Sequence, residues 1–513
     1  MGEPCGRTAR LRAGGLALFR SRAVHRTARG PDEEPMSRPA DSAPAPGPTD
    51  PTDPADQTGP APAPPPPPGT DGDTGDPVSR LLRDRGYQGL LALCVLLGVP
   101  IALASFFFVS LQHWLQRQVW EELPNAVGYD RAPWWWPLPA LFLAGLILAP
   151  IVTRMPGRGG HVPVHGLGGK PIGPVELPSV VIAAVATLPL GVVLGPEAPL
   201  MALGSGLALL AMRPLKKAAS PKGVALLATA GSTAAISTIL GGPVVAAVLI
   251  LEAAALAGPQ MVALLLPCLI ASATGALVFT GFGNWTGLST GGLKLPQVPP
   301  DVNPDAGDFL WGIPIVLLIV VVVGGAHRLA LPTERWVQGS TAWRTVACAS
   351  AVGVPLAAYS LITDRSPDEA ALSGQTMLGQ LAAAPHALSV GALVTLVVCK
   401  ALAWMVCLGS LRGGPIFPAV LLGAATAMAC SGLPGLHPTP ALALGMAAGA
   451  AVVTGLPLTS AVLAVLLMGP DAFDQMPLIV VAAVVGFAAN RLMPAPKQTR
   501  AGPSADAGAA ARP

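Results

Sequence analysis

The sequence predicts an all-α polytopic membrane protein made of two similar halves, each containing helices that are broken and tilted. Three observations carry that prediction. Of the 513 residues, 52% are apolar and 12% charged, against roughly 25% charged in an ordinary soluble domain. Several windows approach or exceed the ~18 apolar residues that a spanning helix needs. Finally, Gly195-Pro196-Glu197-Ala198-Pro199 with Leu203-Gly204 behind it returns 219 residues later as Gly414-Pro415-Ile416-Phe417-Pro418 with Leu422-Gly423 behind it. Gly242-Pro243-Val244-Val245 likewise returns after 214 residues as Leu456-Pro457-Leu458-Thr459. Two matches at nearly one offset mark an internal duplication. In duplicated membrane proteins, segments broken by Gly and Pro place a polar solute site where the broken helices meet.

Taken in order, residues 1–78 are rich in Pro, Ala, Asp and Thr, include the run Pro64 to Pro68, and bury too little apolar surface to fold. Disorder is expected there. Leu16-Ala17-Leu18-Phe19 is too short an apolar core for a signal peptide, and either Met1 or Met36 serves as a start. Residues 79–493 read as one membrane domain in halves of about 79–285 and 305–493, followed by a polar tail, 494–513. The clearest apolar windows are Leu90 to Gln112, Trp134 to Val152, Leu177 to Leu194, Met261 to Phe279, Phe309 to Gly325, Ala387 to Cys407 and Pro477 to Ala489. Between Gly223 and Leu251, Gly and Pro cut the apolar sequence into half-length pieces, which in lipid must be buried in protein or line a cavity.

The net charge of +3 is spread thinly and says nothing about nucleic acid, which is not an expected partner. Its basic residues gather in short connections, at Arg80, Arg83 and Arg85 and at Arg213, Lys216, Lys217 and Lys222, as cytoplasmic loops do. Seven cysteines show no C-x-x-C spacing, so neither a disulfide framework nor a metal site is implied. His161 and His165 stand four apart but have Pro163 between them and no acid or cysteine nearby. No cofactor is expected. Trp134-Trp135-Trp136 reads as an interfacial anchor.

Glu197 is the chemically conspicuous residue, a carboxylate between two prolines at the start of an apolar segment. If it opens a half-helix, it lies beside unpaired N–H groups and the positive end of the helix dipole, where anions are attracted. There it competes with a permeating anion, and protonation releases it. The plainer alternative is a glutamate that caps only its own helix. The matching break, Gly413 to Pro418, has no acid and offers glycines and amides instead. The cluster Gly157-Arg158-Gly159-Gly160-His161-Val162-Pro163 offers a third N-terminal helix end. Arg412 either raises the local positive potential or snorkels, and Glu252 is either a buried polar contact or a proton-path residue.

Gly195-Pro196-Glu197-Ala198-Pro199 resembles the G-[RK]-E-G-P gate motif of the CLC family of chloride channels and proton-coupled anion exchangers. Gly159-Gly160-His161-Val162-Pro163 resembles that family's G-S-G-I-P loop, with Gly160 in place of the serine. Gly414-Pro415-Ile416-Phe417-Pro418 is similar to its G-x-F-x-P loop, with Pro415 unable to donate an N–H. Lys400 matches a basic residue of many members, and the resemblance covers about residues 85–493. It implies a CLC-like inverted repeat in the cell membrane and, through Gly231 to Glu252 and Gly445 to Met468, a homodimer. It further implies a path for a small inorganic anion, chloride foremost, gated by Glu197. Along that path it places Gly160, His161, Val162, Pro163, Ala198, Pro199, Gly414, Pro415, Ile416 and Phe417. No tyrosine follows Met468, and Ala253 stands where exchangers carry an inner glutamate, with Glu252 beside it. Fluoride or nitrate therefore remain alternatives to chloride, and channel-like flux is expected over proton coupling. A transport-dead scaffold or an intramembrane enzyme is the alternative class; Ser205, Ser237 and Ser460 lack a recognisable His or acid partner, which argues against the enzyme.

Overall fold

The computed structural model of the protein describes residues 76–167, 171–213, 220–287, 295, 303–338 and 341–494, so most of the expected disordered segment and of the polar tail lies outside the described residues. Asp76 caps α1 (Pro77–Arg83) by accepting from the Val78 N–H, so the first described helix starts two residues before the expected start of the membrane domain at residue 79. The first half continues with α2 (Arg85–Arg117), α3 (Leu123–Ala126), α4 (Pro137–Arg154), α5 (Leu177–Thr187), α6 (Glu197–Ala211), α7 (Pro221–Ser237), α8 (Pro243–Ala254) and α9 (Gly258–Thr286). The second contains α10 (Ala306–Ile319), α11 (Gly325–Gln338), α12 (Thr341–Thr363), α13 (Gln375–Ala383), α14 (Val390–Ser410), α15 (Ile416–Ala429), α16 (Pro438–Thr454), α17 (Pro457–Met468) and α18 (Ala472–Leu492). No strand occurs among the described residues.

Seven helical stretches are long and apolar enough to span a bilayer: Arg85–Ala126, Pro137–Arg154, Gly258–Thr286, Ala306–Gln338, Thr341–Thr363, Val390–Ser410 and Ala472–Leu492. One expectation is corrected and one span was not foreseen. The window Leu177 to Leu194 forms only an eleven-residue helix, α5, about 17 Å long at 1.5 Å per residue. Pro189 then lacks a donor and Gly191 turns left-handed at φ 107°. Conversely Thr341–Thr363 spans although Arg344, Pro355 and several hydroxyls diluted its apolar signal; Ser350, Thr345 and Thr363 return their hydroxyls to carbonyls four residues earlier, which lowers the cost of placing them in lipid.

The duplication is visible in three dimensions. Pro196 and Pro415 are the N-caps of α6 and α15 with nearly the same dihedrals, φ −81° ψ 2° and φ −90° ψ −10°. α7 and α16 are both 17 residues long. α8 and α17 are both 12 residues long and open with proline. The helices also meet in the same way. A Cβ on Gly204 of α6 would lie 2.1 Å from the Gly231 carbonyl oxygen of α7, and one on Gly423 of α15 would lie 2.1 Å from the Gly445 oxygen of α16. Helices in lipid gain most from such close backbone approach, since no hydrophobic force drives them together.

α15 is buried from Ile416 to Met428 and α16 from Thr439 to Val453 without interruption, so this pair forms the centre of the molecule. Large apolar residues such as Leu96, Phe107, Leu277, Leu310 and Ile362 are exposed on the long outer helices. Burial of α16 within one subunit removes it from the expected dimer face. Of Gly445 to Met468 only α17 reaches the surface, at Leu458, and Val244 does the same on α8. At the head of α10, Asp305 and Asp308 form a capping box. The Asp308 carboxylate also takes the His437 N–H at 2.9 Å, tying α10 to the start of α16.

Candidate functional site: two helix N-termini and a carboxylate between them

The breaks before α6 and α15 face each other. Gly195 and Gly414 pair as a two-residue antiparallel bridge, N–O 2.8 and 2.6 Å, so residues 219 apart in sequence meet at the joint of the two halves. α6 then begins with Glu197, whose side chain leaves its own helix and crosses the joint. Its Oε1 accepts the Phe417 N–H in the first turn of α15 at 2.8 Å, and Oε2 has no hydrogen-bond partner. The residue is fully buried. The capping alternative is thus partly right, but the helix that Glu197 caps is the other half's.

The two bridge glycines make room for this carboxylate. A Cβ on Gly195 would stand 2.1 Å from Oε2, and one on Gly414 would stand 1.8 Å from it. The three atoms nearest to that Gly195 Cβ position all belong to the carboxylate end of the Glu197 side chain. We therefore expect Gly195→Ala to fold normally and to push the carboxylate out of its seat. Ion efflux from proteoliposomes should then rise, whereas unchanged efflux would mean that the seat is not in the path.

The other candidates divide sharply. Ala198, Pro415 and Ile416 line a cavity of about 370 Å³ that also takes in His161, His165, Ser205, Thr229, Ser232 and Ala253. Gly160, His161 and Val162 line a second cavity of about 830 Å³ with Arg158, Glu334 and Arg412. His161 belongs to both. Pro163 is buried at the start of the turn Pro163–His165, and Pro199 is buried in the first turn of α6; neither lines either cavity. The Gly160 and Gly414 amides are already spent, on the Gly157 and Gly195 carbonyls at 2.8 and 2.6 Å, and so cannot serve an anion as expected. Pro415 is an N-cap rather than a first-turn residue, so its missing N–H subtracts nothing from the donors of Ile416 and Phe417. Nor does the third glycine cluster open a helix. It leads into a three-residue turn, Pro163–His165, ended by Gly166 at φ 78°.

Glu252 repeats the Glu197 arrangement in a tighter form. It too is a first-half glutamate at a second-half helix start. Its carboxylate accepts from the Leu458 N–H at 3.0 Å, the Thr459 N–H at 2.7 Å and the Thr459 hydroxyl at 2.6 Å, capping α17. Three donors hold Glu252, while one holds Glu197. Lys400, fully buried, donates from Nζ to the carbonyls of Ala370 and Ala371, both at 2.9 Å, and of Leu372 at 3.3 Å. It therefore anchors a loop and does not face the joint. Lys400→Met would strand three buried carbonyls, at about 1–3 kcal/mol. The thermal midpoint of the detergent-solubilised protein should fall by several degrees; an unchanged midpoint would contradict that anchoring role.

Residues 163–491 match the family model described as voltage gated chloride channel. The chain belongs to that family. In the voltage gated chloride channel family it is similar to a Salmonella newport protein, "Putative ion-transport protein YfeO", 26% identical over 346 residues that cover 64% of this chain and 77% of the relative. The Escherichia fergusonii protein of the same description is 30% identical over 187 residues, 36% of this chain and 44% of the relative. Among solved structures, a CLC-type fluoride/proton antiporter superposes with TM-score 0.60 at 19% identity, over 78% of this chain and 95% of the other. A slow cyanobacterial Cl-/H+ antiporter gives TM-score 0.60 at 16% identity, over 78% and 94%. At these identities the superpositions establish the fold, a CLC-like inverted repeat in a multi-pass membrane protein.

Proposed function

We propose that this chain moves a small inorganic anion, chloride foremost, along a path that the Glu197 carboxylate closes. One observation carries the reading: a fully buried carboxylate occupies the junction of two helix N-termini, bound by a single amide and with its second oxygen unpartnered. Donors and dipoles gathered at such a junction favour negative charge. A carboxylate tethered there stands in for the anion and must leave before an anion enters. Protonation removes its charge and lets it go, so acid raises flux.

The same geometry supports uncoupled, channel-like flux over proton exchange. Ala253 lines the first cavity where an acid would be required, and Glu252, next in sequence, is held on α17 by three donors. Two copies pair through the exposed ends of α8 and α17, at Val244 and Leu458. Fluoride is the competing substrate, because one similar fold is that of a fluoride/proton antiporter. Proteoliposomes loaded with chloride or fluoride, with and without a pH gradient, separate these readings. Chloride efflux should exceed fluoride efflux, rise with acid, and have a reversal potential that ignores the pH gradient. Faster fluoride efflux would replace the substrate, a fixed proton stoichiometry would replace the mechanism, and absence of flux for every anion would remove the function.

A further inference from the structure

The connection from α11 to α12 carries a charged aromatic cluster that the gate does not use. α11 ends at Gln338 and α12 begins at Thr341. Both belong to stretches long and apolar enough to cross a bilayer, so these helix ends lie at a membrane face. Trp336 and Trp343 are exposed there, with ring centres 5.4 Å apart and edge to face. Arg344 sits against both, its guanidinium carbon 5.1 Å from the Trp336 ring centre and 5.5 Å from that of Trp343. Those distances fall inside the ~6 Å at which a cation is attracted to an aromatic face. Nη1 donates to the Trp336 carbonyl at 2.5 Å, while Nη2 donates to no group among the described residues. Nor does Arg344 take part in an ion pair among the described residues. Neutral groups hold the cation in place and leave its charge unmatched.

Further basic residues converge on the same end. α4 runs antiparallel to α12, since a Cβ on Gly353 would stand 3.1 Å from Leu138 Cδ2 and one on Gly145 would stand 2.8 Å from Ala349 Cβ. α4 therefore ends beside the start of α12, and Thr153 and Arg158 line one cavity with Thr341. Arg154, Arg158 and Arg335 are all exposed. The acids nearby are fewer and engaged: Glu334 is bonded to His165 and Gln338, and Glu176, close to Gly157, accepts the Gly173 N–H. Excess arginine in short connections marks the cytoplasmic face, whose leaflet carries the anionic lipids.

We infer that Arg344, framed by Trp336 and Trp343, holds the headgroup phosphate of an anionic phospholipid at this face. Tryptophan settles at headgroup depth in a bilayer, which puts Arg344 level with the lipid phosphates. A guanidinium fork matches phosphate oxygens. Because the two rings and the Trp336 carbonyl already fix this one, little rotamer freedom is lost on binding. The surrounding arginines select the net charge of the lipid: a zwitterionic headgroup brings its own cation into a basic field, and an anionic one does not. The inference is independent of which ion passes Glu197.

Its test reads lipid binding apart from flux. Native mass spectra of the detergent-solubilised wild type, with phosphatidylglycerol and phosphatidylcholine of the same acyl chains at equal concentration, should show phosphatidylglycerol retained in preference. A photoactivatable phosphatidylglycerol should label the peptide that contains Trp336 to Arg344. Arg344→Gln should lower phosphatidylglycerol retention about ten-fold, the effect of losing one charge-assisted hydrogen bond. Arg344→Lys should lose less, because the charge remains while the fork does not. The lipid comparison and the labelling use wild type, so a variant that fails to fold leaves both decisive. Equal retention of the two lipids, labelling only at other peptides, or full retention by a folded Arg344→Gln protein would overturn the site. Inorganic phosphate that raises the thermal midpoint as far as phosphatidylglycerol does would make the ligand a free anion and overturn the lipid assignment.

Discussion

Glu197→Gln should speed chloride efflux and flatten its dependence on pH. Glutamine keeps the shape of the side chain and removes the charge that competes with an anion for the Phe417 N–H and the paired helix ends. Wild-type flux should rise as pH falls, because only the protonated carboxylate leaves; the variant should begin at the acid-stimulated rate and stay there. An interaction of this kind, a buried charge-assisted hydrogen bond, is worth roughly 1.5–3 kcal/mol, so at neutral pH the variant should be faster by about ten-fold or more. A variant that still responds to acid as wild type does would place the acid sensor elsewhere. Slower flux at every pH would mean that the carboxylate assists permeation and does not block it.

Gly423→Leu should abolish the folded protein. Even the first added carbon would sit 2.1 Å from the Gly445 carbonyl oxygen, and both α15 and α16 are buried on all sides, so neither helix has room to retreat. Overfilling a core position commonly costs about 1–3 kcal/mol; here the clash is with backbone, and the expected outcome is aggregation on size exclusion. Gly325→Ala is the control, because nothing lies within 4 Å of the added carbon. Helix preference favours alanine by about 1 kcal/mol, so its thermal midpoint should hold or rise. A monodisperse Gly423→Leu protein with a wild-type midpoint would show that the α15–α16 contact is looser than the 2.1 Å separation implies.

The duplicated punctuation in the sequence was enough to locate the joint. Proline as N-cap with a first-turn residue after it is a local instruction, and Gly195-Pro196-Glu197 and Gly414-Pro415-Ile416 carry it in the same form. What each break touches is not local. Nothing near Glu197 in sequence indicates that its carboxylate reaches an amide 220 residues away, and nothing near Glu252 indicates that it caps a helix 206 residues on. Arg412 reads as a source of positive potential and Lys400 as a match to a basic residue of the family, yet both are held by carbonyls, partners that leave no trace in a side-chain pattern. The span Thr341–Thr363 was hidden for a related reason. The hydroxyls of Thr345, Ser350 and Thr363 look polar in sequence and are satisfied within their own helix. Gly160 and Gly414 misled because a glycine signals a tight backbone without saying whether its amide is free.

The claim that Glu197 occupies an anion site is tested most directly by locating bromide in crystals of wild type and Glu197→Gln. We expect anomalous density at the Phe417 amide in the variant and none there in wild type, where the carboxylate fills the place. Bromide beside Phe417 in wild type with Glu197 still seated, or no bromide there in the variant at saturating concentration, would contradict the account.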